Sequence, residues 1–492
     1  MAIVYVALGI FAFDLLARGV APAIASNRTT RQWRIPWSLP ATFLFGLWAF
    51  FIQEFRLPDL SGVAFHVSHG VDGAPLADYL PTAASYLLLF GLIIAAAGHL
   101  VALRKHFRIA DRLLALPLIL VTPFGTSAAN SLNPFFEPAF PVSTRLVKEP
   151  DLVPPEVRPN LIHLYLESVE ATNEHVSSPA PIFEDLSKLG EAGLRLDGIG
   201  QAAATGFTMG GLVASQCGVP LLSLGLRSPR FFYELDSMVP GVECLGDVLD
   251  DVGYRTEFYG GAAHEFGGKG TFLRGHGYDL ALGRTEFARK FGSDAMNEWG
   301  LNDDHLFQFV FERVLELKER SEPFAISMLT LAGHPPEGFP TPRCLQELGP
   351  VRIDRHLFSI QCTGYLVREF IGKIRKAGVL DNTVVVIQSD HFAGNAAINS
   401  RADGIPRSNY FVAIGKDVQK RTISVGATML DVYPSILDLL GFHLPDDRAG
   451  LGVSLLADSR KTLREELGAA ELDRAIKADE KLRAAIWGLG EG

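Results

Sequence analysis

Three long apolar stretches without Asp, Glu, Lys or Arg mark the first third of the chain. They cover residues 35–53, 79–103 and 113–136. Each is long enough to cross a hydrocarbon core of about 30 Å, which takes roughly 20 helical residues. A weaker apolar stretch, 1–17, is interrupted by Asp14. It is either a further transmembrane helix or a cleaved signal peptide. The pattern predicts an N-terminal bundle of about four transmembrane helices over residues 1–136.

The basic residues between these stretches predict the orientation of the bundle. Segments 18–34 and 104–112 carry four Lys or Arg residues each, whereas the loop 54–78 between them carries only Arg56. Loops rich in Lys and Arg stay in the cytoplasm. We therefore expect everything after residue 136 to lie outside the cytoplasm.

After a Pro-rich linker at 137–159, short apolar runs alternate with helical periodicity. Predicted strands are 161–166, 255–259, 324–331, 383–388 and 409–414. Predicted helices are 182–192, 304–320, 362–377 and 429–440. Apolar strands between helices favour a parallel or mixed sheet with helices on both faces. We expect this α/β domain to cover 160–457 and to be followed by a charged helical tail on the surface, 458–492.

Composition and net charge exclude some classes of protein. The 492 residues suffice for two or three domains, and an apolar fraction of 48% excludes a disordered chain. The net charge of −10 argues against general nucleic-acid binding. We expect no nucleic-acid partner.

All four cysteines fall in the portion predicted to be exported. Four cysteines allow three pairings. We favour Cys217–Cys244 with Cys344–Cys362, because this scheme closes short loops. Disulfides indicate an oxidising compartment, in agreement with the predicted orientation.

Polar residues follow several predicted strands at the edge where ligands bind in such sheets. Glu167 ends the first strand, His334 follows the strand at 324–331, and Asp390-His391 follow the strand at 383–388. These side chains suit metal or phosphate chemistry. The sequence therefore predicts a site at the carboxyl ends of the strands.

A Gly-rich segment, 205–211, offers two candidate nucleophiles, Thr208 and its neighbour Thr205. Glycines let the backbone approach a phosphate closely, and a helix N-terminus favours anions. The structural alternative is that Thr208 only caps the following helix. The pattern by itself does not decide between these two roles.

Several motifs resemble those of the alkaline phosphatase and sulfatase superfamily. They are NLIHLYLES at 160–168, GFTMGGLVASQCGVP at 206–220, GGAAHEFGGKGTFLRGHGYD at 260–279, QSDH at 388–391 and DVYPSILDLLG at 431–441. The resemblance covers roughly 158–455. It points to the membrane branch with lipoteichoic acid synthases, lipid A phosphoethanolamine transferases and, most of all, periplasmic glucan phosphoglycerol transferases.

This resemblance implies an alkaline phosphatase-like (sulfatase-like) α/β catalytic domain with a mostly parallel sheet. It also implies one divalent metal ion, with manganese favoured and magnesium or zinc as alternatives. The implied metal ligands are Glu167, Thr208, Asp390 and His391. Thr208 is the implied nucleophile and His334 a second implied catalytic residue, and His334 and Lys269 are implied to contact the phosphate. Lipoteichoic acid synthases have an arginine at the position of Lys269, so the bidentate grip is lost here.

The implied reaction moves glycerophosphate from phosphatidylglycerol to a glucan, with no nucleotide. It would take place on the periplasmic side of the bacterial inner membrane. The alternatives are a phosphoethanolamine transferase acting on lipid A, a phosphodiesterase or sulfatase-like hydrolase, and a non-catalytic glucan sensor. Retention of the whole Glu, Thr and Asp-His set argues against the sensor.

Overall fold

The computed structural model describes residues 85–86, 140–223, 237–394, 398–457 and 461–489. The predicted transmembrane segments fall outside these ranges, apart from Ser85 and Tyr86. Within the described ranges, no helix has the length and apolar character needed to cross a membrane. The described residues from 140 onward belong to one compact unit.

An eight-stranded sheet forms the centre of this unit. Its strands are β1 (Asn160–Leu166), β2 (Leu194–Gly200), β3 (Arg255–Gly260), β4 (Leu280–Leu282), β5 (Phe324–Leu329), β6 (Thr383–Ser389), β7 (Phe411–Gly415) and β8 (Arg421–Thr428). The spatial order is β4-β3-β5-β1-β6-β7-β2-β8. Only β7 runs antiparallel to its neighbours, β6 and β2. The expected mostly parallel sheet is therefore confirmed.

Helices connect the strands and cover both faces of the sheet. They are α1 (Glu184–Ala192), α2 (Thr208–Cys217), α3 (Leu245–Asp251), α4 (Lys269–Gly275), α5 (Arg284–Phe291), α6 (Asp303–Lys318), α7 (Pro342–Glu347), α8 (Arg355–Lys376), α9 (Ile398–Arg401), α10 (Val432–Leu439), α11 (Leu463–Leu467), α12 (Ala469–Ala478) and α13 (Glu480–Ile486). A two-stranded hairpin, β9 (Arg448–Ala449) and β10 (Gly452–Val453), completes the regular structure.

The central strands are apolar on both faces because each face packs against helices. In β1, Leu161 and Tyr165 belong to one buried apolar cluster, whereas Ile162 and Leu164 belong to the other. Successive side chains of a strand point to opposite faces, which divides them in this way. Two cores, one on each side of the sheet, hold the strand ends in place.

The structure adds elements that the apolar pattern did not predict. Strands β2, β4 and β8 are new, and α8 begins seven residues before the predicted start at Cys362. The predicted strand at 324–331 ends two residues earlier, at Leu329. These differences leave the positions of the predicted strand ends at the site nearly unchanged.

The C-terminal tail differs from the expected surface-lying helix. Its described part forms three short helices, α11 to α13, and its apolar residues are buried in the core on one side of the sheet. Leu472, Ile476 and Leu482 are almost fully buried, and the Trp487 indole N–H donates to the Leu222 carbonyl over 2.7 Å. The charged residues of the tail occupy the outer faces of amphipathic helices, which explains the surface-like sequence.

Residues 140–159, within the expected linker, lie against the same unit. Val142 is fully buried, and Val147 and Val153 form isolated bridges with Gly450 and His443. The Pro-rich sequence still lacks long regular elements, since only a short 3-10 helix at Val142–Arg145 interrupts it.

Two disulfides are present, and both follow the favoured pairing. Cys217 at the end of α2 is bonded to Cys244, and Cys344 in α7 is bonded to Cys362 in α8. The described residues contain no free cysteine. The short-loop scheme is confirmed.

Candidate active site

The pairing of β1 with β6 places two carboxylates side by side. The strands are parallel, and their register aligns Leu166 with Ser389. The next residues along the two strands, Glu167 and Asp390, therefore emerge together at the carboxyl edge of the sheet. Both are buried.

His391 completes, with these carboxylates, a compact group of atoms that could hold a metal ion. Its Nε2 lies 3.4 Å from Glu167 Oε1 and 3.3 Å from Asp390 Oδ2. One ligand atom from each of the three residues lies within 4.8 Å of the others. Two carboxylates and one imidazole form the mixed oxygen and nitrogen set that manganese, magnesium or zinc accepts.

The ring of His391 is fixed in the orientation that a metal ligand needs. Its Nδ1 donates to the Phe392 carbonyl over 2.7 Å, so Nε2 is directed at the carboxylates. A second hydrogen bond of this kind commonly orients a metal-binding histidine. Burial opposes protonation, but the charges of Asp390 and Glu167 outweigh it and raise the pKa of His391 to about 10.

The surroundings of the Asp390 carboxylate suit a bound cation. Its Oδ1 accepts main-chain N–H bonds from Ser168 and His391, each 2.8 Å long. Its Oδ2 is buried and has no hydrogen-bond partner among the described residues. Burial, together with the negative charge of Glu167, raises the pKa of Asp390. A buried carboxylate oxygen without a donor requires a proton or a positive charge nearby.

Thr208 lies beside this group at the start of α2. Its Oγ1 is 3.4 Å from Glu167 Oε2 and 3.3 Å from His391 Nε2. Thr208 is the first helical residue, and the cap position belongs to Phe207, which makes no side-chain cap. The Thr208 hydroxyl thus faces the carboxylates and the imidazole.

Thr205, the alternative nucleophile, has a structural role. Its hydroxyl donates to the Ala202 carbonyl over 2.9 Å and accepts from the Ala202 N–H over 3.0 Å. Both contacts close a turn, and the residue is fully buried. The hydroxyl that meets the candidate ligands is that of Thr208.

A glycine lets α2 approach the end of β6. A Cβ atom on Gly211 would lie 1.8 Å from the Asp390 carbonyl oxygen, far inside contact distance. The helix that begins with Thr208 therefore lies against the main chain of a candidate ligand. This close backbone approach explains one glycine of the Gly-rich segment.

Lys269 supplies a buried cation near the carboxylates. It is the first residue of α4 and is only 2% exposed. Burial lowers the pKa of Lys269 to about 8, and the charges of Glu167 and Asp390 partly oppose this effect. An ammonium group in this position can attract an anionic phosphate.

His334 lies beyond the end of β5, in contact with an aromatic ring. Its Nδ1 donates to the Pro335 carbonyl over 2.8 Å, which leaves Nε2 available. The Trp299 ring lies 4.1 Å away, between ring centroids. Burial lowers the pKa of His334, and the charge of Glu167 opposes this effect. His334 can therefore be neutral and accept a proton at Nε2.

Buried carboxylates outside the ligand set hold the surrounding loops. Asp303 accepts main-chain N–H bonds from Leu331 and Ala332, both 2.8 Å long, and so fixes the segment before His334. Glu170 forms a two-pronged ion pair with Arg407, with a 2.8 Å bond from Nε, and accepts from the Ala393 N–H. The sequence pattern did not predict that Asp303 and Glu170 hold these loops.

A second group of possible metal ligands lies away from this site. It combines Cys244, Asp247 and His276. Cys244 is bonded to Cys217, and the Asp247 carboxylate contacts His276 Nδ1 at 2.7 Å. A disulfide sulfur is not a thiolate ligand, so this group does not form a metal site.

A cavity of about 540 Å³ lies at the opposite, amino-terminal edge of the sheet. Its lining includes Asn160 and Phe324, the first residues of β1 and β5. Since the candidate ligands follow the carboxyl ends of the strands, this cavity is not part of the site.

Fold and site together define a member of a known family. The chain belongs to the Sulfatase family, whose sequence model matches residues 159–442. The expected alkaline phosphatase-like or sulfatase-like domain is thereby confirmed.

Two curated relatives are both named phosphoglycerol transferase I. The one from Citrobacter koseri is 30% identical over 433 residues, which is 85% of this chain and 55% of the relative. The one from Escherichia coli is 28% identical over 407 residues, which is 80% of this chain and 52% of the relative. This chain therefore spans about half the length of the curated relatives it matches.

Two solved structures have the same fold. A lipoteichoic acid synthase from Listeria monocytogenes gives a TM-score of 0.54 at 15% identity, over 71% of this chain and 98% of the other. A protein in the alkaline phosphatase superfamily from Vibrio parahaemolyticus gives 0.51 at 23% identity, over 68% of this chain and 78% of the other. At these identities the similarity concerns the fold.

Proposed function

We propose that this protein is a metal-dependent transferase that moves glycerophosphate from phosphatidylglycerol to a glucan. The observation that carries the proposal is the position of the Thr208 hydroxyl, 3.3 Å from His391 Nε2 and 3.4 Å from Glu167 Oε2. A hydroxyl nucleophile beside a metal site is an arrangement for phosphoryl transfer through a covalent intermediate. The name shared by the curated relatives supports glycerophosphate as the transferred group.

Glu167, Asp390 and His391 would hold the cation, with Thr208 beside it. When bound, a divalent cation supplies positive charge that favours loss of the nearby hydroxyl proton and neutralises phosphoryl oxygens. The buried Asp390 Oδ2, which has no hydrogen-bond partner among the described residues, and the orientation of His391 support this assignment. Manganese is favoured, and magnesium and zinc remain alternatives with the same ligand types.

In the first half-reaction, the Thr208 oxygen forms a bond to the phosphorus of phosphatidylglycerol. The Thr208 hydroxyl gives up its proton as this bond forms, the bond from phosphorus to the diacylglycerol oxygen breaks, and the leaving oxygen takes up one proton, so the step is balanced. The ammonium of Lys269 would bind the phosphate and compensate negative charge in the transition state. Glycerophosphate then remains on Thr208.

In the second half-reaction, a glucan hydroxyl forms a bond to the same phosphorus and gives up its proton. The Thr208–phosphorus bond breaks, and the threonine hydroxyl is restored. His334 would accept the glucan proton at Nε2, because its Nδ1 is engaged with Pro335 and burial keeps its pKa low. Two displacements at phosphorus thus return the enzyme to its starting state.

We also place the catalytic domain on the periplasmic side of the bacterial inner membrane. The Lys and Arg distribution in the first third of the chain supports this orientation. The two disulfides suit an oxidising compartment. A phospholipid donor in the adjacent membrane would make a nucleotide unnecessary.

The acceptor and donor can be tested together. The purified full-length protein is incubated with phosphatidylglycerol labelled in its head group, with and without glucan, and the products are followed by mass spectrometry. We expect diacylglycerol and a glycerophosphate-modified glucan. Release of free glycerophosphate regardless of glucan would support the hydrolase alternative, and consumption of phosphatidylethanolamine alone would support the phosphoethanolamine transferase.

A further inference from the structure

Ser168 connects the two carboxylates of the candidate metal site. Its main-chain N–H donates to Asp390 Oδ1 over 2.8 Å, and its hydroxyl donates to Glu167 Oε1 over 2.9 Å. The residue is fully buried. One residue thus holds a carboxylate from the end of β1 and a carboxylate from the end of β6.

The backbone of Ser168 adopts an unfavourable conformation. Its φ angle is 57°, in the left-handed region that a serine rarely occupies. Glycine would reach this conformation without steric cost, so the turn alone does not require a serine. The hydroxyl is what serine adds, and that hydroxyl is bonded to Glu167. Strain of this kind persists where the surrounding structure holds it, commonly at functional sites.

The bonds from Ser168 occupy one oxygen of each carboxylate. Glu167 Oε2 is left 3.4 Å from the Thr208 hydroxyl, and Asp390 Oδ2 has no hydrogen-bond partner among the described residues. Without the Ser168 hydroxyl, the Glu167 carboxylate would lose its 2.9 Å bond at Oε1 and keep the longer contacts with Thr208 and His391, at 3.4 Å each, which orient it less firmly. The main-chain bond to Asp390 would remain.

We propose that Ser168 is a positioning residue that orients Glu167 and Asp390 so that Glu167 Oε2 and Asp390 Oδ2 bind the catalytic cation. The inference rests on the metal-dependent function proposed above. Residues that orient metal ligands typically change metal affinity 10- to 100-fold when replaced. Ser168 makes no direct contact with the substrate in this proposal.

Two substitutions separate orientation of Glu167 from a general structural role. Ser168→Ala removes the hydroxyl and keeps the strained backbone, whereas Ser168→Gly removes the hydroxyl and relieves the strain. Both retain the N–H that bonds to Asp390. If orientation is the role, both variants lose metal affinity to a similar extent. If the role is only structural, their thermal midpoints change while the metal affinity of the folded protein stays at the wild-type value.

Ser435→Ala is the matched control. Ser435 is equally buried, donates to the Asp431 carbonyl over 2.6 Å and accepts from the Leu455 N–H over 2.9 Å. It lies in α10, and neither of these hydrogen bonds involves a candidate ligand. Its replacement removes a buried hydroxyl without altering the orientation of Glu167.

The experiment measures Mn²⁺ binding to chelator-treated, full-length protein by titration calorimetry, with the thermal midpoint recorded for each variant. We expect the Kd for Mn²⁺ to rise about 10- to 100-fold in Ser168→Ala and Ser168→Gly and to stay unchanged in Ser435→Ala. Transfer activity of both Ser168 variants should recover as Mn²⁺ is raised. If Ser168→Ala does not fold, Ser168→Gly decides, because it carries no backbone strain.

Wild-type affinity in both folded Ser168 variants would overturn the positioning role and leave the proposed function intact. Failure of the wild-type protein to bind any of Mn²⁺, Mg²⁺ or Zn²⁺ would overturn the metal-dependent function and this inference with it. The two failures are therefore distinguishable.

Discussion

The Thr208 hydroxyl lies 3.3 Å from His391 Nε2, although 183 positions separate the two residues in the chain. The contact forms because α2 begins beside the carboxyl end of β6, where His391 follows the strand. The imidazole is fixed from its other side by the Phe392 carbonyl. A candidate nucleophilic hydroxyl and a candidate metal ligand are thus brought together by two separate elements of the fold.

Replacing Thr208 tests the nucleophile directly. In Thr208→Ala we expect transfer to fall by about three orders of magnitude or more, because no oxygen remains to form the covalent intermediate. Thr208→Ser keeps a hydroxyl and should retain measurable activity. Mass spectrometry after incubation with phosphatidylglycerol alone should locate the adduct on Thr208. Full activity in Thr208→Ala would exclude this role.

Removing the metal or one of its ligands should have equivalent effects. Chelation is expected to abolish transfer, and added Mn²⁺ should restore it. Glu167→Gln should lower activity by several orders of magnitude, since it removes a ligand charge. Glu257→Gln is the control, because Glu257 on β3 is an equally buried carboxylate, and its partner is Arg313 of α6. Unchanged activity in chelator-treated, metal-free protein would rule out the metal mechanism.

Asp303 should make folding stability depend on pH. Burial raises the pKa of Asp303 from 3.8 to about 7, although the Ala332 and Leu331 N–H groups oppose the shift. The folded state therefore binds a proton more tightly than the unfolded state, and this contribution is lost as pH rises from about 4 to 7. The full contribution is on the order of 4 kcal/mol.

Denaturant unfolding of Asp303→Asn between pH 4 and 7 measures this effect. The variant cannot ionise at this position, so its free energy of unfolding should fall less steeply with pH than that of the wild type. Asp304→Asn serves as the control, because it keeps Asp303 and removes only a minor contribution to its raised pKa. Parallel curves for wild type and Asp303→Asn would contradict the expectation.

The two disulfides should stabilise the domain separately. Each closes a loop of moderate length, with sequence separations of 27 and 18 residues, and contributes about 2–4 kcal/mol. We expect Cys217→Ala/Cys244→Ala to affect activity most, because Cys217 ends the helix that begins at Thr208. Thermal unfolding and peptide mapping without reductant check both points. Four free thiols in protein purified without reductant would refute the pairing.

Replacing only one partner of the ion pair between Glu170 and Arg407 should lower the free energy of unfolding substantially. Glu170 is fully buried, and Arg407 also donates to the Ala393 carbonyl over 2.8 Å. Arg407→Met would leave an uncompensated carboxylate, which costs about 3–5 kcal/mol. The double variant Arg407→Met/Glu170→Gln should recover part of this loss in denaturant unfolding. If the double variant is no more stable than Arg407→Met, the loss of stability does not come from the uncompensated charge of Glu170.

The apolar pattern located much of the sheet and most of the site because buried parallel strands are continuous apolar runs. Glu167 and Asp390-His391 were predictable, since each follows such a run directly. Strands β2 and β8 were missed because their sequences contain polar residues and glycine, such as Arg195, Asp197 and Gly198 in β2. β8 is an edge strand whose first half is largely exposed, so it lacks a continuous apolar signal.

The supports of the site were not predictable for a different reason. Ser168 directly follows Glu167 in the sequence, but its backbone angle and its contact with Asp390 depend on the distant strand β6. Asp303 and Arg407 resemble ordinary surface charges until the fold buries their partners. The C-terminal tail was interpreted as surface-lying for the same reason, since burial of its apolar faces depends on long-range packing.

The close contact at Gly211 couples the position of α2 to that of Asp390. Helix α2 and the residue after β6 touch through main-chain atoms, because no side chain separates Gly211 from the Asp390 carbonyl. A movement of α2 away from β6 would therefore carry Thr208 away from Glu167 and His391, and a movement of the segment at Asp390 would displace the helix. The distance from the Thr208 hydroxyl to the candidate ligands therefore depends on this main-chain contact. Adjusting this enzyme to a bulkier substrate would therefore have to proceed through the surrounding loops, while this junction stays unchanged.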